Sequence, residues 1–165
     1  LLLGESGSGK SECALDLISR GHRLVADDVV EVARDGEGIV IGWGPARIRH
    51  HMEIRGLGII NIRDLFGVAA IRYRKRIELV IQLLPWRPDE EYDRLGLETA
   101  GFPVLGVSLP LLTIPVSAGR NVAILVEVAA RNHLLKLMGV HSARAFTARL
   151  APPDDLPTYR IEDTE

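Results

Sequence analysis

Cysteine is nearly absent from this chain, and long apolar runs are absent altogether. The single cysteine, Cys13, rules out an internal disulfide framework and a cysteine-rich zinc site. It reads as a small buried hydrophobe on a helix. No apolar run is long enough to cross a bilayer as a helix. Excess charge is missing too: the formal net charge is −2, which argues against a general nucleic-acid binder. No internal repeat is visible. These features suit a cytoplasmic protein that does not engage membrane.

What is present is enough for a folded core. The chain has 165 residues, 47% of them hydrophobic and 25% charged, a balance that suits one domain and excludes global disorder. The informative stretch is Gly4-Glu5-Ser6-Gly7-Ser8-Gly9-Lys10-Ser11, which fits G-x-x-x-x-G-K-[ST]. Leu1-Leu2-Leu3 reads as the end of a buried strand. The run from Glu12 to Arg20 reads as a helix with Cys13, Ala14, Leu17 and Ile18 on its apolar side. A strand–loop–helix context gives the motif its mechanism. Glycines let successive N–H groups surround a phosphate, and the helix N-terminus adds partial positive charge. Lys10 is placed to reach the outer phosphates and Ser11 to ligate Mg²⁺. The bland alternative is a chance Gly/Ser turn before a surface helix. Three residues are short for a strand that carries such a loop, so further strand residues are expected before Leu1.

Gly21 is expected to close the first helix. The stretch from His22 to Val32 then predicts an apolar strand interrupted by Asp27 and Asp28. If it runs parallel to the first strand, both carboxylates arrive at the phosphate edge, where open α/β sheets bind ligands. Two acids in an apolar strand are costly without cationic partners. Their adjacency raises the pair's proton affinity unless a metal or a lysine compensates. Asp35 to Gly38 is a hairpin turn signal, followed by a strand over Ile39 to Trp43. His50 and His51 are too close in sequence for joint metal ligation and read as solvated or packing residues.

The segment Met52 to Ile62 carries two glycines among apolar residues, with Glu53 and Arg55 as opposite charges. It fits a second anion-facing loop or a tightly packed core turn equally well. Arg63 to Phe66 predicts one helical turn. Val68 to Tyr73 and Ile77 to Leu84 predict strands, with Arg74-Lys75-Arg76 as a solvated tip between them. Asp89 to Gly96 reads as a charged loop. Phe102 to Val107 and Leu111 to Val116 predict further strands. Asn121 is a good N-cap for a long helix from Val122 to Met138, closed by Gly139. That helix is apolar around much of its circumference, which implies burial in a core or against another subunit. A shorter helix is expected from about Ser142 to Leu150. Residues 151–165 read as a flexible, acidic, proline-rich tail.

These residues resemble the HPr kinase/phosphorylase family. The likeness rests on Gly4 to Glu12, on Gly21-His22-Arg23-Leu24-Val25-Ala26-Asp27-Asp28, and on Glu53-Ile54-Arg55-Gly56-Leu57-Gly58-Ile59-Ile60-Asn61. It continues through Glu91 to Leu97, Thr113 to Val116, Gly119-Arg120-Asn121 and Glu127 to Ala130, and so spans 1–150 as a catalytic domain. The resemblance implies an α/β fold: a mixed β-sheet with flanking helices, a phosphate site like that of phosphoenolpyruvate carboxykinase, and two C-terminal helices. It implies a bacterial, typically hexameric enzyme. Such an enzyme phosphorylates a regulatory serine on the phosphocarrier HPr with ATP or pyrophosphate and reverses the step by phosphorolysis. The absence of eukaryotic kinase motifs is consistent with this.

Carried over by motif, the resemblance implies roles. Gly4, Glu5, Ser6, Gly7, Ser8, Gly9, Lys10 and Ser11 hold phosphate, with Lys10 on the outer phosphates. Ser11 and Glu53 ligate Mg²⁺ or Mn²⁺. Asp28, with Asp27 beside it, takes the serine proton and returns it in the reverse step. Arg94 counters charge on the transferring phosphoryl group. The segment Met52, Glu53, Ile54, Arg55, Gly56, Leu57, Gly58, Ile59, Ile60 and Asn61 serves both reactions. Pro115, Val116, Ser117, Ala118, Gly119 and Arg120 serve mainly phosphorolysis. Here the chain departs from the family's usual Pro-Val-Arg-Pro-Gly-Arg: Ser117-Ala118 removes one cation and some rigidity. The family's histidine in the strand before the phosphate loop has no counterpart in this chain. Two other functions are weighed on the same residues: a nucleotide sensor without transfer activity, and a small-molecule kinase.

Overall fold

The computed structural model describes residues 1–36, 38–90, 92, 100–117 and 119–150. A four-stranded sheet forms the centre. Its strands are β1 (Leu2–Gly4), β7 (Val80–Pro85), β9 (Val107–Val116) and β8 (Ala100–Val104), in that spatial order. β1, β7 and β9 run parallel, and β8 runs antiparallel to β9. The other elements are α1 (Lys10–Ser19), β2 (Glu31–Arg34), β3 (Val40–Trp43), β4 (His51–Ile54), β5 (Gly58–Asn61), α2 (Ile62–Phe66), β6 (Arg74–Arg76), α3 (Val122–Leu137) and α4 (Ser142–Leu150). This is the mixed α/β architecture expected from the sequence.

Alternation along β7 explains the layering. Ile81 and Leu83 point to one face and pack with Cys13 of α1 and with Ala123 and Val126 of α3. Val80 points to the other face, against Val40 of β3 and Leu109. The second face is therefore covered by a three-stranded sheet, ordered β2-β3-β6 and antiparallel throughout. A third apolar cluster joins Ile18 and Leu24 to Met52 and Ile54 of the β4–β5 hairpin. It fastens that hairpin to the helix that begins at the phosphate loop. No described helix is long and apolar enough to cross a membrane.

Helix ends follow the sequence signals. The Gly21 and His22 amides bond back to the Ile18 and Leu17 carbonyls, a Schellman closure with Gly21 at φ 92°. Gly139 and Val140 close α3 in the same way, on Lys136 and Leu135. The Asn121 side chain accepts the Ile124 amide at 3.0 Å and caps the start of α3. Cys13 is buried on α1, and burial, helped by the nearby Asp16 carboxylate, pushes its thiol up to about 11.

Four expectations need correction. The parallel strand over His22 to Val32 is absent: Leu24 makes a lone parallel bridge with Ile71, and Asp27 and Asp28 lie in a bend. The Asp27 side chain instead takes bonds from Ser11 at the start of α1 and from the Glu53 amide of β4. β2 starts only at Glu31 and pairs antiparallel with β3. Val68 to Tyr73 is not a strand: Val68–Ala70 forms a 3-10 turn and Ile71 alone bridges. Arg74 to Arg76 is not a loop tip but β6, paired with β3. Phe102 to Val107 is not one strand either. Leu105 and Gly106 have φ of 48° and 77°, so the chain reverses there into β9.

Leu83 is fully buried in the main sheet, in the cluster that joins α1 and α3 to it. Leu83→Ala is expected to cost about 3 kcal/mol in urea denaturation. A loss below ~1 kcal/mol would mean that this cluster is not what holds the helices to the sheet.

Candidate active site

The phosphate loop connects β1 to α1, and its geometry is set by glycine. A Cβ on Gly4 would meet Ser8 Oγ at 2.6 Å and the Leu83 carbonyl oxygen at 2.9 Å, so only glycine fits where the loop crosses β7. Gly9 is left-handed, at φ 83°, and turns the chain into α1. Lys10 opens that helix. Its Nζ donates to the Gly4 and Glu5 carbonyls at 2.9 Å each, so the ammonium arches over the loop. Ser8 Oγ is buried without a protein partner.

Ser11, on the first turn of α1, donates from Oγ to Asp27 Oδ1 at 2.9 Å. The other oxygen of Asp27 accepts the Glu53 amide at 3.2 Å. One carboxylate thus ties together the helix start, the acidic bend and the β4–β5 hairpin. The hairpin also carries Arg55, whose guanidinium lies against the loop: a Cβ on Gly7 would sit 3.5 Å from Arg55 Nη2. The loop, Asp27, Asp28, Glu53 and Arg55 all line a single cleft of about 1070 Å³. That volume is ample for a nucleotide and the edge of a second reactant.

The structure brings together Gly4 to Ser11, Asp27, Asp28, Glu53 and Arg55. For the segment Met52 to Asn61, the sequence left an anion-facing loop and a core turn equally open. The hairpin does both: Met52 and Ile54 are buried, while Glu53 and Arg55 face the cleft. Leu57 and Ile59 are exposed. Pro115 and Val116 end β9, and Arg120 donates from Nη1 to the Pro115 carbonyl at 2.9 Å. Those residues do not line this cleft. Arg94 and Ala118 lie outside the described residues, as does the stretch 151–165.

Two features were not singled out from sequence. One is the closeness of Asp27, rather than Glu53, to the Ser11 hydroxyl. The other is the placement of Arg55 over the loop. The second had no local signal: Arg55 follows β4 in the turn before β5, and its placement depends on the distant loop. Of the two histidines read as solvated or packing, His50 packs and His51 is exposed. The His50 ring meets Tyr73 edge-on at 5.6 Å, and burial, with Arg49 and Arg63 nearby, lowers its proton affinity.

Burial raises the Asp27 carboxyl above its ordinary value of 3.8, although its bonds to Ser11 and the Glu53 amide oppose the shift. Asp28 adds to the rise, and Lys10 works against it. The folded state therefore holds a proton that the unfolded state has lost. This contribution to stability falls as pH climbs from about the unfolded value to the higher folded one. A cation in the cleft would reverse that balance. The oxygen donors there (Ser11, Asp27, Asp28 and Glu53) suit a hard divalent ion. The described residues contain no ready-made cluster of three acidic, histidine or cysteine ligands. Mg²⁺ needs no such cluster, because it takes one or two carboxylates and completes its shell with phosphate and water. Carboxyl-resolved NMR titration is expected to place Asp27 above 3.8, and Ser11→Ala to raise it further by removing a bond to the ionised form. A fall in the variant would refute this account.

Comparison with known proteins identifies the family. The model of the family described as "HPr Serine kinase C-terminal domain" matches residues 1–150. The chain is similar to the HPr kinase/phosphorylase of Geobacter sulfurreducens, with 59% identity over 150 residues, covering 91% of this chain and 47% of that protein. It is likewise similar to the HPr kinase/phosphorylase of Geobacillus sp. strain WCH70, with 54% identity over 165 residues, covering 100% and 51%. The chain thus spans about half the length of these curated relatives. Among solved structures, that of the Hpr(Ser) kinase/phosphatase from Coxiella burnetii superposes with a TM-score of 0.78 at 36% identity, covering 88% of each chain. The chain therefore belongs to the HPr serine kinase C-terminal domain family.

Proposed function

We propose that this chain is the catalytic domain of a serine kinase/phosphorylase acting on the phosphocarrier protein HPr, with ATP or pyrophosphate as donor. The observation that carries the reading is the bridge from Ser11 through Asp27 to the Glu53 amide, which holds an acidic pair beside a phosphate loop. A nucleotide holder needs only the loop. A transferase also needs a base for the incoming hydroxyl and cations around the moving phosphoryl group.

The chemistry divides among named groups. The loop amides and Lys10 hold the polyphosphate. Arg55, beside Gly7, neutralises phosphate oxygens, and Arg94 is assigned to the same charge from the segment 93–99. A bound Mg²⁺ or Mn²⁺, held by Ser11 with Asp27 and Glu53, would supply charge neutralisation between donor and acceptor. Asp28 accepts the serine hydroxyl proton as the serine oxygen bonds to phosphorus. The bond from that phosphorus to the donor's bridging oxygen breaks, and the shortened donor leaves. In the reverse direction inorganic phosphate attacks the phosphoserine phosphorus, Asp28 returns the proton to the serine oxygen, and pyrophosphate departs. Asp27 is engaged at both oxygens, so it positions rather than abstracts. The loop Pro115 to Arg120 is assigned to the reverse step, where Ser117-Ala118 supplies no cation.

Asp28→Asn is expected to lower transfer of labelled phosphate from ATP to HPr by a factor of about 10²–10⁴, with nucleotide affinity changed little. Unchanged transfer removes Asp28 from the base role. Wild-type chain that binds ATP and leaves HPr unlabelled favours a nucleotide sensor, and labelling of hydroxyl metabolites instead of HPr favours a small-molecule kinase.

We assign the outer face of α3 to self-assembly, as in a hexamer. Ile124, Val128 and Leu135 are exposed there. Sedimentation at micromolar concentration is expected to show an oligomer, and Val128→Glu to shift it toward monomer. A wild-type chain that is monomeric throughout would contradict the assignment. The cytoplasm, where HPr would be met, is the proposed compartment.

A further inference from the structure

A second cleft lies on the opposite face of the three-stranded sheet. Its volume is about 580 Å³, within the range of small-ligand sites. Ala33, Ile41, Trp43 and Arg74 line it. Their alternate neighbours Val32, Gly42 and Lys75 line the phosphate-loop cleft instead. The sheet is therefore a wall shared by two cavities.

The lining is cationic and aromatic. Arg34, Arg49 and Arg74 converge from β2, from the turn before β4 and from β6, with Asp35 as the one acid. The Arg49 guanidinium stacks over Tyr73, 5.2 Å from the ring centre, and its Nε is buried with no hydrogen-bond partner. Among the described residues, the Arg74 side chain makes no hydrogen bond or ion pair. Arg34 spends only Nε, on the Gly36 carbonyl at 3.2 Å. Trp43 is held still: its indole N–H donates to Glu31 Oε2 at 2.6 Å. Three guanidinia outnumber the carboxylates at this cleft, Asp35 in its lining and Glu31 on the indole N–H, so a net positive charge remains to meet an anion. Guanidinium groups bind phosphate through paired N–H donors, and a fixed indole offers a stacking face to a flat ring.

We propose that this cleft binds a mononucleotide, its base against Trp43 and its phosphate on Arg49 and Arg74. Phosphate alone would leave the aromatic wall unused, and a nucleoside alone would leave the arginines unpaired. The site is separate from the phosphate loop and does not depend on the transferase reading.

The test is the indole N–H resonance of Trp43, assigned with Trp43→Phe, in the 165-residue chain. AMP is expected to move it saturably, and ribose 5-phosphate, inorganic phosphate and adenosine to do so at least about tenfold more weakly, since each lacks one half of the ligand. Arg74→Gln, at an exposed position that leaves the core intact, is expected to weaken AMP about tenfold by removing a charge-assisted contact. Arg49→Gln is expected to do the same. Lys10→Met, which disables the phosphate loop, should leave the Trp43 response in place. A silent indole, a response to phosphate equal to that for AMP, AMP affinity unchanged in both arginine variants, or loss of the response in Lys10→Met would each overturn the proposal.

Discussion

One half-buried carboxylate holds the phosphate-loop cleft together. Asp27 accepts the Ser11 hydroxyl on one oxygen and the Glu53 amide on the other. Its three attachments come from segments that are distant in sequence: the start of α1, the bend before β2 and the strand β4. Without Asp27 the hairpin would still pack through Met52 and Ile54, but no polar contact would set its distance from the loop. Burial makes the ionised carboxylate uncomfortable, and its hydrogen bonds offset that only in part. Such a site favours a cation, because a positive charge relieves the cost that burial imposes. The same groups therefore fix the geometry and create the demand for the charge that phosphoryl chemistry uses.

Packing places this carboxylate with little freedom. α1 packs through Cys13 against the main sheet and through Ile18 against the hairpin cluster, so one helix contacts both. Arg20, His22 and Arg131 all approach Glu127 on α3, at 3.8, 3.5 and 2.7 Å. These ion pairs are near the surface and add little energy singly. Arg20 and His22 reach Glu127 from the end of α1, whereas Arg131 lies on α3 itself, and α3 is the helix entered from the loop at Pro115 to Arg120. The two ends of the proposed chemistry are joined through that helix pair.

Local signals in the sequence were read correctly where one short stretch decides its own structure. The phosphate loop, the glycine closures after α1 and α3, the Asn121 cap and the turn between β2 and β3 all depend on residues within a few positions of one another. The failures share a different cause. Asp27 and Asp28 sit in apolar surroundings that look like a strand, yet a side-chain bond to Ser11 decides their backbone. Arg74 to Arg76 looks like a solvated tip because all three are basic, yet β3 offers an unpaired edge that takes them as a strand. Leu105-Gly106 carries no strong turn signature, since leucine is rarely found at positive φ. In each case the deciding partner is far away in the chain. The same holds for Arg55, whose meaning comes only from Gly7 lying beneath it.

The β2-β3-β6 sheet shows how much a single register controls. Val32, Gly42 and Lys75 are mutual partners across its three strands and face the phosphate-loop cleft. Ala33, Ile41, Trp43 and Arg74, one step along, face the second cleft. A slip of one residue in any strand would send each side chain to the other face. It would put the Trp43 indole into the phosphate-loop cleft and move Gly42 to the outside. A Cβ on Gly42 would already meet Val30 Cγ1 at 3.0 Å and Ile77 Cδ1 at 3.1 Å, so the inner face tolerates nothing larger without displacing them. Close packing at glycine thus locks the register, and the locked register decides which residues each cleft receives.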